Sequence, residues 1–117
     1  MENETDFYCE QVLSGKTAVE KVFETENTLA FYHTRPFWEI HIVVIPKRHI
    51  SSLLTLTESD AELFFELFET IKKVAAEVVS TRGAARVLTN LGKYQDSKHL
   101  HFHVYSGERI RPDNQPD

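Results

Sequence analysis

The sequence predicts an α+β fold, in which a five-stranded, mostly antiparallel sheet carries one long helix and a short N-terminal helix. The 117 residues are enough for one ordinary domain, and a hydrophobic content of 41% provides one core. Short alternating or β-branched segments indicate strands, and one long segment repeats apolar residues at steps of three and four. We therefore expect a single domain over residues 1–108, followed by a polar C-terminal tail over residues 109–117.

Local signals place the elements of this fold. Thr5 can cap a short helix that runs through Lys16, with Gly15 as its stop. The long helix is predicted to follow the capping-box segment Thr57–Asp60 and to end near residues 81–83. Its apolar stripe consists of Leu63, Leu67, Ile71, Val74 and Val78, widened by Phe64, Phe68 and Ala75. Strands are predicted over residues 18–25, 29–34, 40–45, 85–90 and 99–105.

Composition argues against several classes of function. The formal net charge of −5 disfavours a broad nucleic-acid-binding face, which needs clustered lysine and arginine. The apolar runs are much shorter than the ~20 residues that span a bilayer. Cys9 is the only cysteine, and the acidic N-terminus is unlike a secretory signal. We expect a cytoplasmic protein that binds neither nucleic acid nor membranes.

Three of the six histidines alternate with large apolar residues near the C-terminus, in the order His99-Leu100-His101-Phe102-His103-Val104-Tyr105. Alternate side chains of a strand share one face, so the imidazoles are predicted to point one way and the apolar residues into the core. Side chains on one strand face repeat every 6.5–7 Å or so, a spacing that suits a small polyanion such as a phosphate. Imidazole has an ordinary pKa of ~6.5, which allows it to be nucleophile, acid or hydrogen-bond donor.

Two other interpretations of this histidine row remain open at this point. The row can be purely structural, although three alternating histidines are hard to obtain by chance. A zinc site is the sharper rival, because His-x-His on a strand is a good ligand pair and His41 or His49 is available as a third ligand. The outer two histidines of the row are too far apart to bind one ion easily, so no metal and no cofactor is our expectation.

These residues resemble the signature of the histidine triad (HIT) superfamily, in which histidine and hydrophobic residues alternate and two hydrophobic residues follow the third histidine. A second segment, read from residue 41, is similar to another family pattern: His-Ile-Val-Val-Ile-Pro-Lys-Arg-His-Ile. The opening also fits, with Ser14-Gly15-Lys16 and Leu29-Ala30-Phe31. The likeness covers roughly residues 7–107 and is nearest to the histidine triad nucleotide-binding proteins.

The resemblance implies a mechanism. The middle histidine, His101, is expected to attack the α-phosphorus of a nucleotide derivative and form a nucleotidyl-histidine, which water then hydrolyses. His103 is expected to hold the phosphoryl group and His99 to orient His101, while His41 corresponds to a fourth histidine of the site. No metal is needed in this scheme.

The resemblance also implies binding residues outside the row. Asn90 corresponds to a phosphate-contacting asparagine and Gln95 to a glutamine of the neighbouring loop, while Phe31 corresponds to an apolar wall of the nucleoside pocket. Cys9 stands where some relatives have a zinc-binding Cys-x-x-Cys. The residues three positions away are Asp6 and Val12, so structural zinc is not expected there.

Three positions depart from the family pattern. His33 stands where a ribose-binding aspartate is usual, and Thr34 follows where an apolar residue is common. Neutral imidazole offers one donor and one acceptor, so ribose recognition is expected to differ. Asp96 occupies the place of a serine or threonine that contacts the leaving group, with Ser97 next to it. An ionised Asp96 would repel a phosphate leaving group and assist an amine, which favours a phosphoramidate substrate.

The expected activity is therefore hydrolysis or transfer at the α-phosphate of a purine nucleoside phosphoramidate or related nucleotide. The alternatives are a dinucleoside polyphosphate hydrolase of the same superfamily and a non-catalytic, nucleotide-binding regulatory protein. The resemblance further implies a homodimer, in which the tail of one subunit, including Arg109 and Arg111, can reach the site of the other.

Overall fold

The computed structural model describes residues 8–111, apart from the side chain of Glu10, and shows a five-stranded antiparallel sheet with one long helix on one face. The sheet order is β1-β2-β3-β5-β4. The strands are β1 (Lys21–Glu24), β2 (Thr28–Tyr32), β3 (Trp38–Pro46), β4 (Arg86–Leu88) and β5 (Phe102–Arg109), and the helix is α1 (Ala61–Arg82). The predicted fold class is confirmed.

Strand β3 is the centre of the sheet, because β2 pairs with it on one side and β5 on the other. Residues 42–45 are each at most 3% exposed, as their apolar character on both faces predicts. Ile42 and Val44 face α1, while Val43 and Ile45 belong to a second cluster on the opposite face. That opposite face also carries the histidines.

Helix α1 covers the first face with the predicted stripe. Leu67, Ile71, Val74 and Val78 are buried, and the helix ends at Gly83, whose φ of +89° and N–H bond to the Val79 carbonyl form a left-handed cap. The expected boundaries of this helix are confirmed. Phe68 does not widen the buried stripe, because its side chain is 53% exposed. None of the helices among residues 8–111 is both long and apolar enough to cross a membrane.

The strand that was expected to begin at His99 begins at Phe102, so His99 and His101 precede the regular strand. The Leu100 N–H bonds to the carbonyl of Ile50, outside the ladder between β5 and its neighbours. The alternation of faces nevertheless persists, because Leu100 and Val104 enter the α1-side core while the histidines lie on the other side.

The two ends of the chain also differ from expectation. A six-residue π-helical turn, Tyr8–Leu13, replaces the described part of the helix predicted through Lys16, and Thr5 lies outside the described residues. Strand β5 continues through Arg109, and Ile110 N–H bonds to the Phe37 carbonyl. The first residues of the expected tail therefore pack against the domain.

Glu66 on α1 holds the turn between β1 and β2. Its carboxylate accepts hydrogen bonds from the Thr25 hydroxyl at 2.6 Å, the Asn27 side-chain amide at 2.9 Å and the Asn27 backbone N–H at 3.2 Å. These bonds, led by the one from Thr25, lower the pKa of Glu66 below its ordinary value. The ionised carboxylate therefore stabilises this corner of the fold.

We expect Glu66→Gln to lower the free energy of unfolding at neutral pH. The amide retains only one acceptor oxygen, and its NH₂ group would face the N–H and O–H donors of Asn27 and Thr25. Since folding lowers the pKa of Glu66, the contribution of Glu66 to the free energy of unfolding is present above the unfolded-state pKa. That contribution disappears as pH falls through the folded-state pKa. Urea melts at a series of pH values measure this. The matched control is Glu69→Gln, which removes a surface pair with Lys72 on the same helix. An equal loss for Glu66→Gln at acidic and neutral pH would contradict the assignment.

Candidate active site

Four buried imidazoles come together on the sheet face opposite α1. His41 lies on β3 and His103 on β5, where the antiparallel register places His103 beside Val43. His99 and His101 lie in the irregular segment that leads into β5. Each of the four side chains is at most 2% exposed. The structure thus brings all four predicted catalytic histidines into one region.

The backbone of His99 orients the ring of His101. The His101 Nδ1 lies 2.7 Å from the His99 carbonyl oxygen. A carbonyl only accepts, so Nδ1 carries the proton and donates it. In a neutral ring, Nε2 then bears the lone pair, which is the state that a nitrogen nucleophile requires.

A chain of hydrogen bonds sets the protonation of His41 and His103. The backbone N–H of Phe37 donates to His41 Nδ1 at 3.0 Å, so the neutral His41 ring carries its proton on Nε2. His41 Nε2 lies 2.8 Å from His103 Nδ1, and it therefore donates to that atom. Neutral His103 in turn has its proton on Nε2. The rings of His103 and His101 are 5.0 Å apart and nearly perpendicular, so the ring that carries this N–H donor lies beside the ring of His101.

His33 joins this group through a similar backbone bond. The N–H of Arg35 donates to His33 Nδ1 at 2.9 Å, which places the proton of the neutral ring on Nε2. The His33 ring stacks on His41 with centroids 4.3 Å apart and an interplanar angle of 24°, and its centroid is 6.0 Å from that of His103. His33 is 5% exposed. A third imidazole thus extends the pair of His41 and His103.

The cluster of His33, His41 and His103 has ligand atoms within 4.8 Å of one another, but its tautomers oppose metal binding. Backbone N–H groups occupy the Nδ1 lone pairs of His33 and His41, so each ring presents an N–H at Nε2. Coordination through Nε2 would place two donors face to face at Nδ1. The arrangement suits an anion better than a cation.

A second cluster of possible ligands comprises Cys9, His49 and His99. His99 Nε2 lies 2.7 Å from the Pro46 carbonyl and donates to it, so the Nδ1 lone pair faces Cys9 Sγ at 3.3 Å. This tautomer fits a metal ligand with a carbonyl behind it. A structural zinc takes four ligands, and Val12 provides none at the fourth position. The expectation of no structural zinc therefore stays a prediction.

Aromatic side chains that the sequence analysis did not single out enclose the histidines. Tyr8 is 1% exposed, and its ring lies 4.9 Å from His101 and 5.9 Å from Phe31. Trp38 stacks on Tyr105 at 3.8 Å and meets the edge of His41 at 5.0 Å. Tyr8 and Val12 are four residues apart, a spacing that places two side chains on one face of a helix. This spacing is the sequence signal that could have indicated a buried role for Tyr8.

The predicted binding residues of the loop before His99 differ in burial: two are buried inside the loop, and two are accessible to solvent. Gln95 is buried, and its side-chain amide donates to the carbonyls of Ser51 and Ser97 at 2.7 and 2.9 Å. It therefore holds the loop in place. Ser97 is also buried, whereas Asp96 is exposed and Asn90 is half-buried.

The predicted nucleoside pocket has one buried and one open residue. Phe31 is 1% exposed against Tyr8, and Thr34 lies at the surface. Phe31, the predicted apolar wall, is thus in contact with Tyr8, whose ring lies beside His101.

Comparisons with known proteins agree on one family. Residues 7–111 match the family model "Scavenger mRNA decapping enzyme C-term binding". An uncharacterized HIT-like protein of Helicobacter pylori is 34% identical over 103 residues, which cover 86% of this chain and 95% of the relative. The chain belongs to the histidine triad superfamily.

Solved structures of this superfamily share the fold over nearly the whole chain. A HIT family hydrolase from Legionella pneumophila is 27% identical with a TM-score of 0.77, and the match covers 92% of this chain and 97% of the other. A histidine triad protein from Clostridium difficile is 29% identical with a TM-score of 0.76, and the match covers 97% and 100%. The resemblance derived from the sequence is therefore confirmed.

The hydrogen bonds of the triad site predict specific ring tautomers. We expect His33 and His41 to carry their protons on Nε2 because Arg35 and Phe37 donate to Nδ1, and His101 to carry its proton on Nδ1. Two-dimensional ¹⁵N NMR of the imidazoles distinguishes these forms. A proton on Nδ1 of His41 at neutral pH would contradict the proposed direction of the hydrogen bonds from Phe37 through His41 to His103.

Proposed function

We propose that this protein is a nucleotidyl hydrolase or transferase whose nucleophile is His101 Nε2. The observation that carries the proposal is the bond from His101 Nδ1–H to the His99 carbonyl, which leaves the lone pair on Nε2. The proposed substrate is a purine nucleoside phosphoramidate or a related nucleotide, and no cofactor is required. The structural match to a HIT family hydrolase over nearly the whole chain supports hydrolysis as the class of reaction.

In the proposed reaction, Nε2 of His101 forms a bond to the α-phosphorus as the bond from phosphorus to the leaving group breaks. The leaving amine takes up a proton from solvent, and the nucleotide remains attached to His101. Water then attacks the same phosphorus and gives up a proton to solvent, the bond to Nε2 breaks, and a nucleoside monophosphate is released. The two steps replace one difficult displacement.

His103 and His41 support the transferred phosphoryl group in this proposal. His103 Nε2–H donates to a phosphoryl oxygen as charge develops there, and His41 fixes the tautomer that makes this possible. Because the backbone N–H of Phe37 occupies His41 Nδ1, His41 does not accept a second proton without losing that bond. The fixed donor requires no reorganisation during the reaction.

The burial of His101 implies a movement before chemistry. His101 is 1% exposed, and Tyr8 packs against its ring. A nucleotide therefore reaches Nε2 only when the turn that carries Tyr8 moves aside. Phe31, behind Tyr8, then forms the apolar wall for the base, with His33 and Thr34 near the sugar.

Replacing His101 with Ala should abolish turnover of adenosine or guanosine phosphoramidate, a loss of roughly 10³-fold or more, because no other nitrogen occupies that position. Intact-mass analysis of the wild-type protein after rapid mixing should detect the nucleotide adduct, and the variant should show none. The control is Lys72→Ala, which removes an exposed side chain from α1, on the other face of the sheet. Undiminished turnover in the His101 variant would eliminate this nucleophile.

Asp96 is proposed to select the leaving group. Its exposed carboxylate repels a phosphate and assists an amine, so Asp96→Asn should raise kcat/KM for a dinucleoside polyphosphate relative to a phosphoramidate by several-fold. The ratio of the two values measures the effect, and the neighbouring Ser97→Ala tests whether the serine takes the role instead. An unchanged ratio in Asp96→Asn would remove the carboxylate from leaving-group selection.

The rival functions have distinct outcomes in the same assays. Hydrolysis of dinucleoside polyphosphates in preference to phosphoramidates would indicate the other hydrolase class of the superfamily. Tight nucleotide binding without turnover of either substrate would favour a regulatory protein. Loss of activity after exhaustive chelation would favour a metal enzyme, which the tautomers of His33 and His41 argue against.

We also propose a cytoplasmic homodimer. Strand β4 (Arg86–Leu88) pairs with β5 on one side and is an edge of the described sheet, so a second copy can extend the sheet there. Sedimentation equilibrium should then give twice the chain mass of 13.6 kDa. A monomer at micromolar concentration would contradict this. The contribution of the tail to the partner's site belongs to the same proposal.

A further inference from the structure

The hydroxyl of Thr89 donates a hydrogen bond to the carbonyl oxygen of His101 at 2.7 Å. Thr89 directly follows the last residue of β4, and His101 directly precedes the first residue of β5. The regular pairing of these two strands ends with Leu88 opposite His103. The Thr89 hydroxyl therefore extends the link between β4 and β5 by a side chain, at the point where the ladder of backbone pairs stops.

The segment that leads into β5 is held at a second point by the chain that follows β3. The Leu100 N–H donates to the carbonyl of Ile50. This N–H and the His99 carbonyl belong to one planar peptide unit, so the bond to Ile50 also sets the direction of the His99 carbonyl. The His99 carbonyl is in turn the acceptor for His101 Nδ1 at 2.7 Å. The backbone acceptor of the His101 ring is thus held in place from one side.

Thr89 holds the other side of the same contact. The carbonyl that it binds belongs to the peptide unit between His101 and Phe102, so the bond restricts rotation of the chain just after the His101 Cα. The peptide units on the two sides of a residue together determine where its Cα–Cβ bond points. A side chain has only a few staggered conformers, so the direction of this bond decides whether Nδ1 of His101 reaches the His99 carbonyl.

The side chain of Thr89 is suited to this task. It is half-buried, so its hydrogen bond is partly shielded from competing water. Threonine is branched at Cβ, which limits the directions in which the hydroxyl can point. Strand β4 has only three residues, so one additional bond to the segment before β5 is a substantial part of the connection at this edge.

We propose that Thr89 is a positioning residue, whose hydroxyl holds the backbone of His101 so that the ring keeps its bond to His99 and presents Nε2 for attack. This inference rests on the proposed function for the role of Nε2. Thr89 acts through His101, so loss of the hydroxyl should slow attack on the α-phosphorus without weakening nucleotide binding. Displacement of a reacting group by about 1 Å can reduce a rate ~10²-fold, and a loosened ring should lose about tenfold.

Three substitutions separate the hydroxyl of Thr89 from the volume of its side chain. Thr89→Val keeps the volume and removes the hydroxyl, Thr89→Ser keeps the hydroxyl, and Thr89→Ala keeps neither. The value of kcat/KM for an adenosine phosphoramidate should fall about tenfold in Thr89→Val and Thr89→Ala, and much less in Thr89→Ser. The Kd for AMP, measured by calorimetry, should change by no more than about twofold in all three variants.

Imidazole ¹⁵N NMR gives a second readout, which requires no turnover. In the wild type and in Thr89→Ser, His101 should carry its proton on Nδ1. In Thr89→Val, the weakened bond to His99 should allow the Nε2–H form as well, so the shifts of the two ring nitrogens should approach each other. The matched control is Thr81→Val, which removes a hydroxyl-to-carbonyl bond to Glu77 in α1 and should change neither kcat/KM nor the tautomer.

A role in folding alone would lower the melting temperature of Thr89→Val and leave kcat/KM and the His101 tautomer unchanged, and this result would overturn the proposal. A loss of kcat/KM that follows side-chain volume, with Thr89→Ser as impaired as Thr89→Ala, would also overturn it. If Thr89→Val does not fold, the pair Thr89→Ser and Thr89→Ala decides, because these variants differ only in the hydroxyl.

The two readouts distinguish failure of this inference from failure of the proposed function. Absence of a nucleotide adduct in the wild type would reject the proposed function, while a tautomer change without the hydroxyl would still show that Thr89 orients the His101 ring. An adduct that forms at the wild-type rate in Thr89→Val and Thr89→Ala would retain the proposed function and reject the positioning role.

Discussion

The hydrogen bond from the Phe37 backbone N–H to His41 Nδ1 is the constraint on which the whole histidine site depends. It determines which nitrogen of His41 carries the proton, and this in turn makes His103 an acceptor at Nδ1 and a donor at Nε2. A backbone amide keeps its proton throughout the pH range in which imidazole titrates, so the fold sets the direction of the hydrogen bonds from Phe37 through His41 to His103. The same device, with Arg35 as the donor, fixes His33.

The sheet supplies the geometry that this bond requires. Strand β3 carries His41 and begins one residue after Phe37, while β5 places His103 beside Val43 of the same strand. His101 lies just outside the regular ladder, where its ring can turn to the carbonyl of His99. Regular pairing therefore holds the donors in place, and the irregular segment before β5 orients His101, the proposed nucleophile.

In a chain of net charge −5, the guanidiniums of Arg109 and Arg111 lie against Phe37. His33, which stands where the family resemblance implies an aspartate, contacts the same ring. Asp96, exposed in the loop before His99, is the opposing charge at the leaving-group side of the proposed reaction.

The sequence by itself determined the fold class and the superfamily, because these depend on periodicity and on short motifs. The same motifs singled out the four histidines that the structure brings together. Local periodicity also located α1 accurately, because the helix has one continuous apolar stripe and clear signals at both of its ends. Only the tertiary structure showed that β5 begins at Phe102, that Tyr8 covers His101 and that Arg109 and Arg111 lie over Phe37. Those features arise from contacts between residues far apart in the chain. The ring tautomers belong to the same category, because a backbone N–H becomes a partner of an imidazole only when the chain turns back on itself.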